Sequence, residues 1–382
     1  MSHHTLILWE SPRAGPVVSR VAVAGDFLAT GNLSLPAGGW AEAAHQLRGH
    51  FDDVAMAFVN LECVLDAEGL SPRQLSGLGQ IISAPAASLG YLEAVQAGVV
   101  SLANNHSYDF GGAGVERTRR ALTQRGLVPL GAGRALHAVP EVFLWQGPGN
   151  IRVGFWAAAT ASSDLATRSS PGVEPATFHR ASQAIEVLKS RGAQYSIALL
   201  HTGCMRTNRP DPGDVARMDS IAKSGFGIVA AAHSHRISGA KVLSAERASP
   251  FFCFYGLGSI VSGDVASPFE REGLIVVAGL DSSGGLARVE VRPVMLDETG
   301  FGEVPSPEMS GMVLDRFRRL SDEITGGSSE RLFYRDVSPG LVRLHMRDAR
   351  AAFRQSGVRG LARKAARVRM RHLRRLVHRV IG

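Results

Sequence analysis

Seven residues of this chain have side chains and positions suited to holding a metal: Asp26, Glu62, Asn105, His106, His201, His233 and His235. Two carboxylates, an amide oxygen and several imidazoles form a mixed nitrogen and oxygen donor set that suits Mn, Zn or Fe, with no thiolate required. Two ions held about 3.5–4 Å apart can bind a substrate phosphate, activate a water and stabilise a leaving oxygen. That arrangement needs one bridging ligand and several terminal ones, and this inventory can supply one ion or two. Each piece alone has a plainer reading. A Gly-Asp turn after a strand is common, an Asn-Asn pair tolerates left-handed turns, and His-x-His occurs on ordinary strands. The weight lies in the set.

The elements that must position these residues show as apolar, β-branched-rich runs at 20–27, 54–62, 97–106, 152–160, 195–203, 226–235 and 251–261. Near-continuous apolarity over such lengths predicts strands buried on both faces. Helical patterns fall between several of them, at 86–97, 114–125, 178–191 and 215–224, and glycines 126, 192 and 225 sit where helix stops are expected. Alternation of strand and helix predicts an α/β fold with a largely parallel or mixed sheet, covered on both faces. Segments 273–280 and 287–296 follow without a helix and predict an antiparallel hairpin over 282–285. Asp26, Glu62, Asn105, His106, His201, His233 and His235 then fall where apolar runs end, and in parallel sheets those ends share one edge where ligands bind.

The blocks AGDFLATG (24–31), FVNLECVL (58–65), SLANNHSYDFGGAG (101–114), GAGRALHAV (131–139), LLHTG (199–203), AAHSHRISG (231–239) and FYGLGSIV (254–261), in this order, resemble the CapA-type capsule and poly-γ-glutamate synthesis proteins. These are a branch of the calcineurin-like metallophosphoesterases. The resemblance covers roughly residues 18–280, and A-N-N-H-x-x-D-x-G-x-x-G is its most specific element. It implies a layered αββα metallophosphoesterase-like sandwich over 18–297, followed by a C-terminal extension over 298–382. By position it implies that Asp26, Asn105, His201, His233 and His235 bind metal and that Glu62 bridges. His106 would assist the leaving group, with Asp109 orienting that imidazole or its loop.

The resemblance has gaps. The wider superfamily begins with Asp-x-His, but the residue two after Asp26 is Leu28, so one histidine ligand is missing. Ala232 and Ser234 stand where the family usually has Gly and Pro around its His-x-His, and Thr202 follows His201 where members commonly show Trp. The implied activity is that of a metal-dependent hydrolase or transferase acting on a phosphate or related ester or amide bond, in bacterial capsule, poly-γ-glutamate or other polysaccharide biosynthesis. The alternative is a non-catalytic metal-binding assembly or anchoring component for an anionic polymer.

Charge is segregated. The 382-residue chain carries a formal +8, yet residues 351–382 hold ten Lys or Arg and no acid, so the remainder is net acidic. Leu361, Ala365, Val368, Leu373, Leu376, Val377 and Val380 recur at helical spacing among those arginines, predicting a basic amphipathic helix. Such a helix suits an anionic membrane surface better than single-stranded nucleic acid, because no aromatic residue follows Phe353 for bases to stack on. A helix packing one apolar stripe on the domain is the plainer reading. Three scattered cysteines indicate neither disulfides nor a zinc knuckle, and the first fifteen residues do not read as a secretory signal. The expected location is the cytoplasm, with peripheral contact to the inner membrane through the tail.

Overall fold

The apolar runs become strands of two stacked sheets in the computed structural model, which describes residues 5–30, 33–73, 80–136, 139–160, 162, 164–244, 250–263, 265, 267–337, 340, 343 and 350. Strands β1 (Leu6–Glu10), β2 (Ser19–Leu28), β3 (Met56–Leu61), β4 (Ala97–Ser101) and β5 (Val128–Leu130) lie in the first sheet. Strands β6 (Val142–Gln146), β7 (Arg152–Ala159), β8 (Tyr195–His201), β9 (Ile228–Ala232), β10 (Ala240–Leu243) and β11 (Phe251–Phe254) form the second. The chain then returns to the first sheet with β12 (Ser259–Ser262), β13 (Glu272–Leu280), β14 (Leu286–Leu296) and β15 (Gly302–Glu303). Spatial orders are β1-β14-β13-β2-β3-β4-β5 and β10-β11-β9-β8-β7-β6, with β12 beside β2 and β15 beside β14. Strands β2 to β5 are mutually parallel, as are β7, β8, β9 and β11.

Strand β7 shows why a continuous apolar run serves here. Phe155, Ala157 and Ala159 point into the space between the sheets, where Phe155 meets Phe58 of β3 edge-to-face at 5.4 Å. The alternate residues Trp156 and Ala158 face outward and are covered by Ala181, Ala184, Ile185 and Leu188 of helix α3 (Phe178–Ser190) and by Met218, Ile221 and Ala222 of α4 (Pro212–Lys223). Two helices earlier in the chain, α1 (Leu89–Ala94) and α2 (Gly111–Gln124), cover the outer face of the first sheet through Tyr91, Leu92, Val115 and Leu122. The layers therefore run α-β-β-α, the expected sandwich. Helix stops fall where glycine was expected, with Gly126 at φ 74 and Gly192 at φ 86.

Three expectations are corrected. The helical pattern over 86–97 shrinks to a 3-10 turn (Ala86–Ser88) and a short helix ending at Ala94, because the apolar Ala97–Ser101 is claimed by the sheet. The run 251–261 is two strands, one in each sheet, joined across Tyr255–Gly258. The chain after 297 is not a separate extension from its first residue. Strand β15 pairs with β14, and helix α5 (Pro307–Thr325) buries Val313, Leu314, Phe317 and Leu320 against the core, with Phe317 stacked on Phe254 at 6.3 Å. Ser306 caps that helix by accepting from Met309 N–H at 3.3 Å, and Pro307 opens it. The arginine-rich amphipathic segment 361–381 lies outside the described residues.

The crossing at Tyr255–Gly258 brings backbone against β2. Gly258 adopts φ 67, and its carbonyl accepts from Asp26 N–H at 3.0 Å. A Cβ on Gly25 would lie 1.9 Å from that carbonyl oxygen, so only glycine fits. We expect Gly25→Ala to cost about 3 kcal/mol or more by overpacking against backbone, read as a lowered urea midpoint; an unchanged midpoint would show that the contact is slack.

Candidate metal centre

Strands β2, β3 and β4 of one sheet and β8 and β9 of the other end at the same place. Asp26 sits within the last residues of β2, Glu62 directly follows β3, the Asn104–His106 turn follows β4, His201 ends β8, and His233 and His235 follow β9. Asp26, Glu62 and His201 are buried to 1% exposure or less, and His233 to 9%. All the residues expected to bind metal are brought together. Two three-residue groups have donor atoms mutually within 4.8 Å: Glu62, His201 and His233 form one, and Asp26, Glu62 and His235 the other. Glu62 belongs to both, the position a bridging carboxylate would take. Asn105 extends the first group, since its Oδ1 lies 2.6 Å from His201 Nε2 and Glu62 Oε1 lies 3.3 Å from the same nitrogen.

Local geometry explains how each side chain is aimed. His233 and His235 take φ 99 and φ 52, a left-handed region that costs a non-glycine residue about 1–3 kcal/mol and that clusters at functional turns. The turn is held because Asp26 Oδ2 accepts from His233 N–H at 3.0 Å and Ser234 Oγ donates to Arg236 O at 2.7 Å. In the 104–106 turn, Asn104 Nδ2 donates to Leu61 O at 2.7 Å, while its Oδ1 accepts from His106 N–H and Ser107 Oγ, each at 3.0 Å. Asn104 thus shapes the turn, leaving Asn105 and His106 to face the site. Asp109 Oδ2 accepts from His106 Nδ1 and from Ile82 N–H, both at 2.8 Å, so the imidazole is oriented by a carboxylate that is itself pinned. Leu28, two residues after Asp26, is buried at 6% exposure and offers no donor to the site.

Asn60 was not singled out by the sequence, yet it ties the sheets together at this site. It is fully buried; its Nδ2 donates to Asp26 Oδ1 at 2.8 Å and lies 3.4 Å from His201 Nδ1. A signal existed, because Asn60 stands two residues before Glu62 and is a polar residue inside an apolar run.

The electrostatics are those of a site built for added positive charge. Burial would raise the Glu62 carboxyl, but the adjacent His201 and His235 outweigh it and hold Glu62 far below the usual carboxylate range. Burial would likewise lower His235, yet Glu62 and Asp26 push it up to about 9. Burial and the neighbouring His201 drive His233 well below its ordinary value, keeping it neutral and able to ligate. His106 is raised, burial being outweighed by its bond to Asp109 and the Glu62 charge. Glu62 Oε2 and His233 Nδ1 are buried with no hydrogen-bond partner among the described residues, while Glu62 Oε1 lies 3.3 Å from His201 Nε2 and His235 Nδ1 lies 3.1 Å from Asp26 Oδ2. Leaving such groups unmatched costs about 1–3 kcal/mol each. A divalent cation at either group would engage Glu62 and one of these imidazoles, so each donor group fits one.

Comparison with known proteins shows the family of the chain. A family profile described as "Bacterial capsule synthesis protein PGA_cap" matches residues 20–264. Capsule biosynthesis protein CapA of Bacillus anthracis is 25% identical over 237 residues, covering 60% of this chain and 54% of that protein. A probable polyglutamine synthesis accessory protein of Mycobacterium tuberculosis is 30% identical over 235 residues, covering 58% of this chain and 59% of its own length. The chain thus spans between half and two thirds of these relatives. A 5'-nucleotidase precursor from Thermus thermophilus superposes with TM-score 0.46 at 13% identity, over 79% of this chain and 58% of that one.

The charge arrangement fixes a pH dependence for chelator-treated protein. His235 is raised to about 9 when folded, against about 6.5 when unfolded, so its stabilisation is complete below about pH 6.5 and is lost as pH rises through 9. A cation needs the neutral ring, so the rise in thermal midpoint on adding Mn should be larger at pH 8.5 than at pH 6. An equal or smaller rise at pH 8.5 would contradict this account of His235.

Proposed function

From the premise that this chain belongs to the family of bacterial capsule synthesis proteins, we propose that it is a divalent-cation-dependent hydrolase or transferase of a phosphate ester, or of a related ester or amide bond, in capsule, poly-γ-glutamate or exopolysaccharide production. The observation that carries this reading is the pair of donor groups sharing Glu62, with Glu62 Oε2 and His233 Nδ1 buried and without a hydrogen-bond partner among the described residues. Asp26, Glu62 and His235 would hold one ion, and Glu62, Asn105, His201 and His233 the other. A bound divalent cation supplies Lewis acidity that polarises a phosphoryl or carbonyl oxygen and offsets developing negative charge.

The remaining chemistry belongs to the protein's own groups. With Nδ1–H donating to Asp109, the His106 ring has its Nε2 left for a substrate atom, its side chain being 14% exposed. Asp109 fixes the tautomer and favours the protonated ring, so His106 can hand a proton to the leaving oxygen. The name of the mycobacterial relative, an accessory protein, favours a second reading, in which the chain binds an anionic polymer without cleaving it. The His106–Asp109 pair supports the enzyme, because a binding scaffold has no use for an oriented proton donor.

Among the described residues no helix is long and apolar enough to cross a membrane. Contact with an anionic membrane would fall to the basic segment 361–381, and pelleting with anionic liposomes should be lost when residues 355–382 are removed; equal pelleting by both forms would refute that role.

The catalytic assignment makes a graded prediction. His106→Ala should lower kcat about 10²–10⁴-fold for a phosphodiester with an alkyl leaving group, and far less for a nitrophenyl ester, whose leaving group needs no proton. Bound Mn, Zn or Fe by elemental analysis should stay at the unmutated level in that variant. Absence of cation-dependent turnover of either ester, with less than stoichiometric metal in the unmutated protein, would sink the enzyme reading.

A further inference from the structure

The turn that carries His233 and His235 is braced from outside the two sheets, by a loop and a helix that belong to neither donor group. The loop runs from Thr202 to Asp211, between β8 and α4, and is bonded along that turn. Thr202 N–H donates to Ala232 O at 3.1 Å, and Arg206 N–H donates to Ser234 O at 2.8 Å. Further on, Asn208 Nδ2 donates to Ile237 O and Ser238 Oγ donates to Asn208 O, each at 2.8 Å. A turn with His233 at φ 99 and His235 at φ 52 keeps its shape only where its surroundings over-determine it. The loop is part of those surroundings, so whatever fixes the loop also steadies the histidines.

Helix α5 fixes it. Arg209 closes two parallel bonds with Glu323 of α5, from Nε to Oε2 at 2.9 Å and from Nη2 to Oε1 at 3.0 Å, and its Nη1 lies 3.5 Å from Asp336 Oδ2. A guanidinium fork on a carboxylate sets orientation as well as distance. Two residues before Glu323, Ser321 Oγ accepts from Ala240 N–H at 2.9 Å. There the two backbones touch, since a Cβ on Gly239 would lie 2.3 Å from Ser321 N and 2.4 Å from Leu320 C. One stretch of α5, from Leu320 to Glu323, therefore holds the far end of the histidine turn directly and its flank through Arg209. That stretch is itself seated in the core by Phe317 and Leu320.

We infer that α5 is the outer support of the cation site and that Arg209 is its positioning residue, holding the His233–His235 turn in its ligating shape without touching the cation. This rests on the proposed cation site. It deepens that reading by adding a helix past the last strand to the parts of the chain on which cation affinity depends.

Chelator-treated full-length protein titrated with Mn by calorimetry tests this. Arg209→Met keeps the stem and removes the fork, and should raise the Mn dissociation constant about tenfold, as losing a group that orients a ligand does. Arg209→Lys should fall between, and Ser321→Ala should shift the constant in the same direction. Arg119→Met is the control. Arg119 makes the same fork with Glu141, their side chains 27% and 19% exposed against 27% and 16% for Arg209 and Glu323, and its other bond goes to Ala132 O. It should lower the urea midpoint and leave Mn affinity unchanged. In metal-free protein, amide exchange over 203–211 and 231–239 should speed in Arg209→Met and not in Arg119→Met. Unchanged Mn affinity in Arg209→Met, or an equal loss in Arg119→Met, overturns the inference while the cation site stands. No Mn binding by the unmutated chain removes the cation site instead; faster exchange in Arg209→Met then still credits Arg209 with holding the turn, and unchanged exchange removes both.

Discussion

Glu62 is a carboxylate at 1% exposure with imidazoles on two sides, His201 Nε2 3.3 Å from Oε1 and His235 Nδ1 3.9 Å from Oε2. Taking one such charge out of water costs several kcal/mol unless opposite charge replaces the lost solvent. His201 and His235 supply part of that compensation, and they do so only because two sheets end together there. Moving either sheet by one strand residue would turn a ligand to the opposite face. The stacking of the sheets, the strained turn at 233–235 and the bonds of Asn60 all follow from the need to bring charge to this carboxylate and keep it there.

The scaffold meets that need with close backbone contacts more than with bulk. Gly25 lets the Gly258 carbonyl reach the Asp26 amide, which fixes the aspartate at the end of its strand. Asp26 then accepts from the His233 amide and from Asn60, linking both sheets through a single side chain. The aromatic contacts between the layers, such as Phe58 on Phe155, keep the sheets in the register these bonds require. Two residues in left-handed conformations are tolerated because hydrogen bonds on either side over-determine the turn.

Much of this was legible in the sequence where the signal is local. A polar residue at the end of an apolar strand is conspicuous, and Asp26, Glu62, Asn105, His106, His201, His233 and His235 could be picked out that way. The antiparallel pair Glu272–Leu280 and Leu286–Leu296 showed because no helix separates them. What stayed hidden depends on partners far away in the chain. Asn60 is read as part of a strand until His201 from the other sheet is placed beside it. The run 251–261 is apolar throughout, so nothing in its composition marks the change of sheets at Tyr255–Gly258. Helix α5 is a different case: Ser306, Pro307 and the apolar spacing of Val313, Phe317 and Leu320 carried the signal, and its absorption into the core corrects a boundary drawn where strand character ends.

The most direct test of the central claim is anomalous X-ray scattering from crystals of the full chain grown with Mn. The account predicts a peak at ordinary ligand distance from Glu62, about 2.0–2.2 Å, flanked by Asp26 and His235 on one side or by Asn105, His201 and His233 on the other, and two peaks sharing Glu62 if both groups fill. Anomalous density elsewhere in the molecule, or none with the Glu62 oxygens bonded only to water, would contradict it.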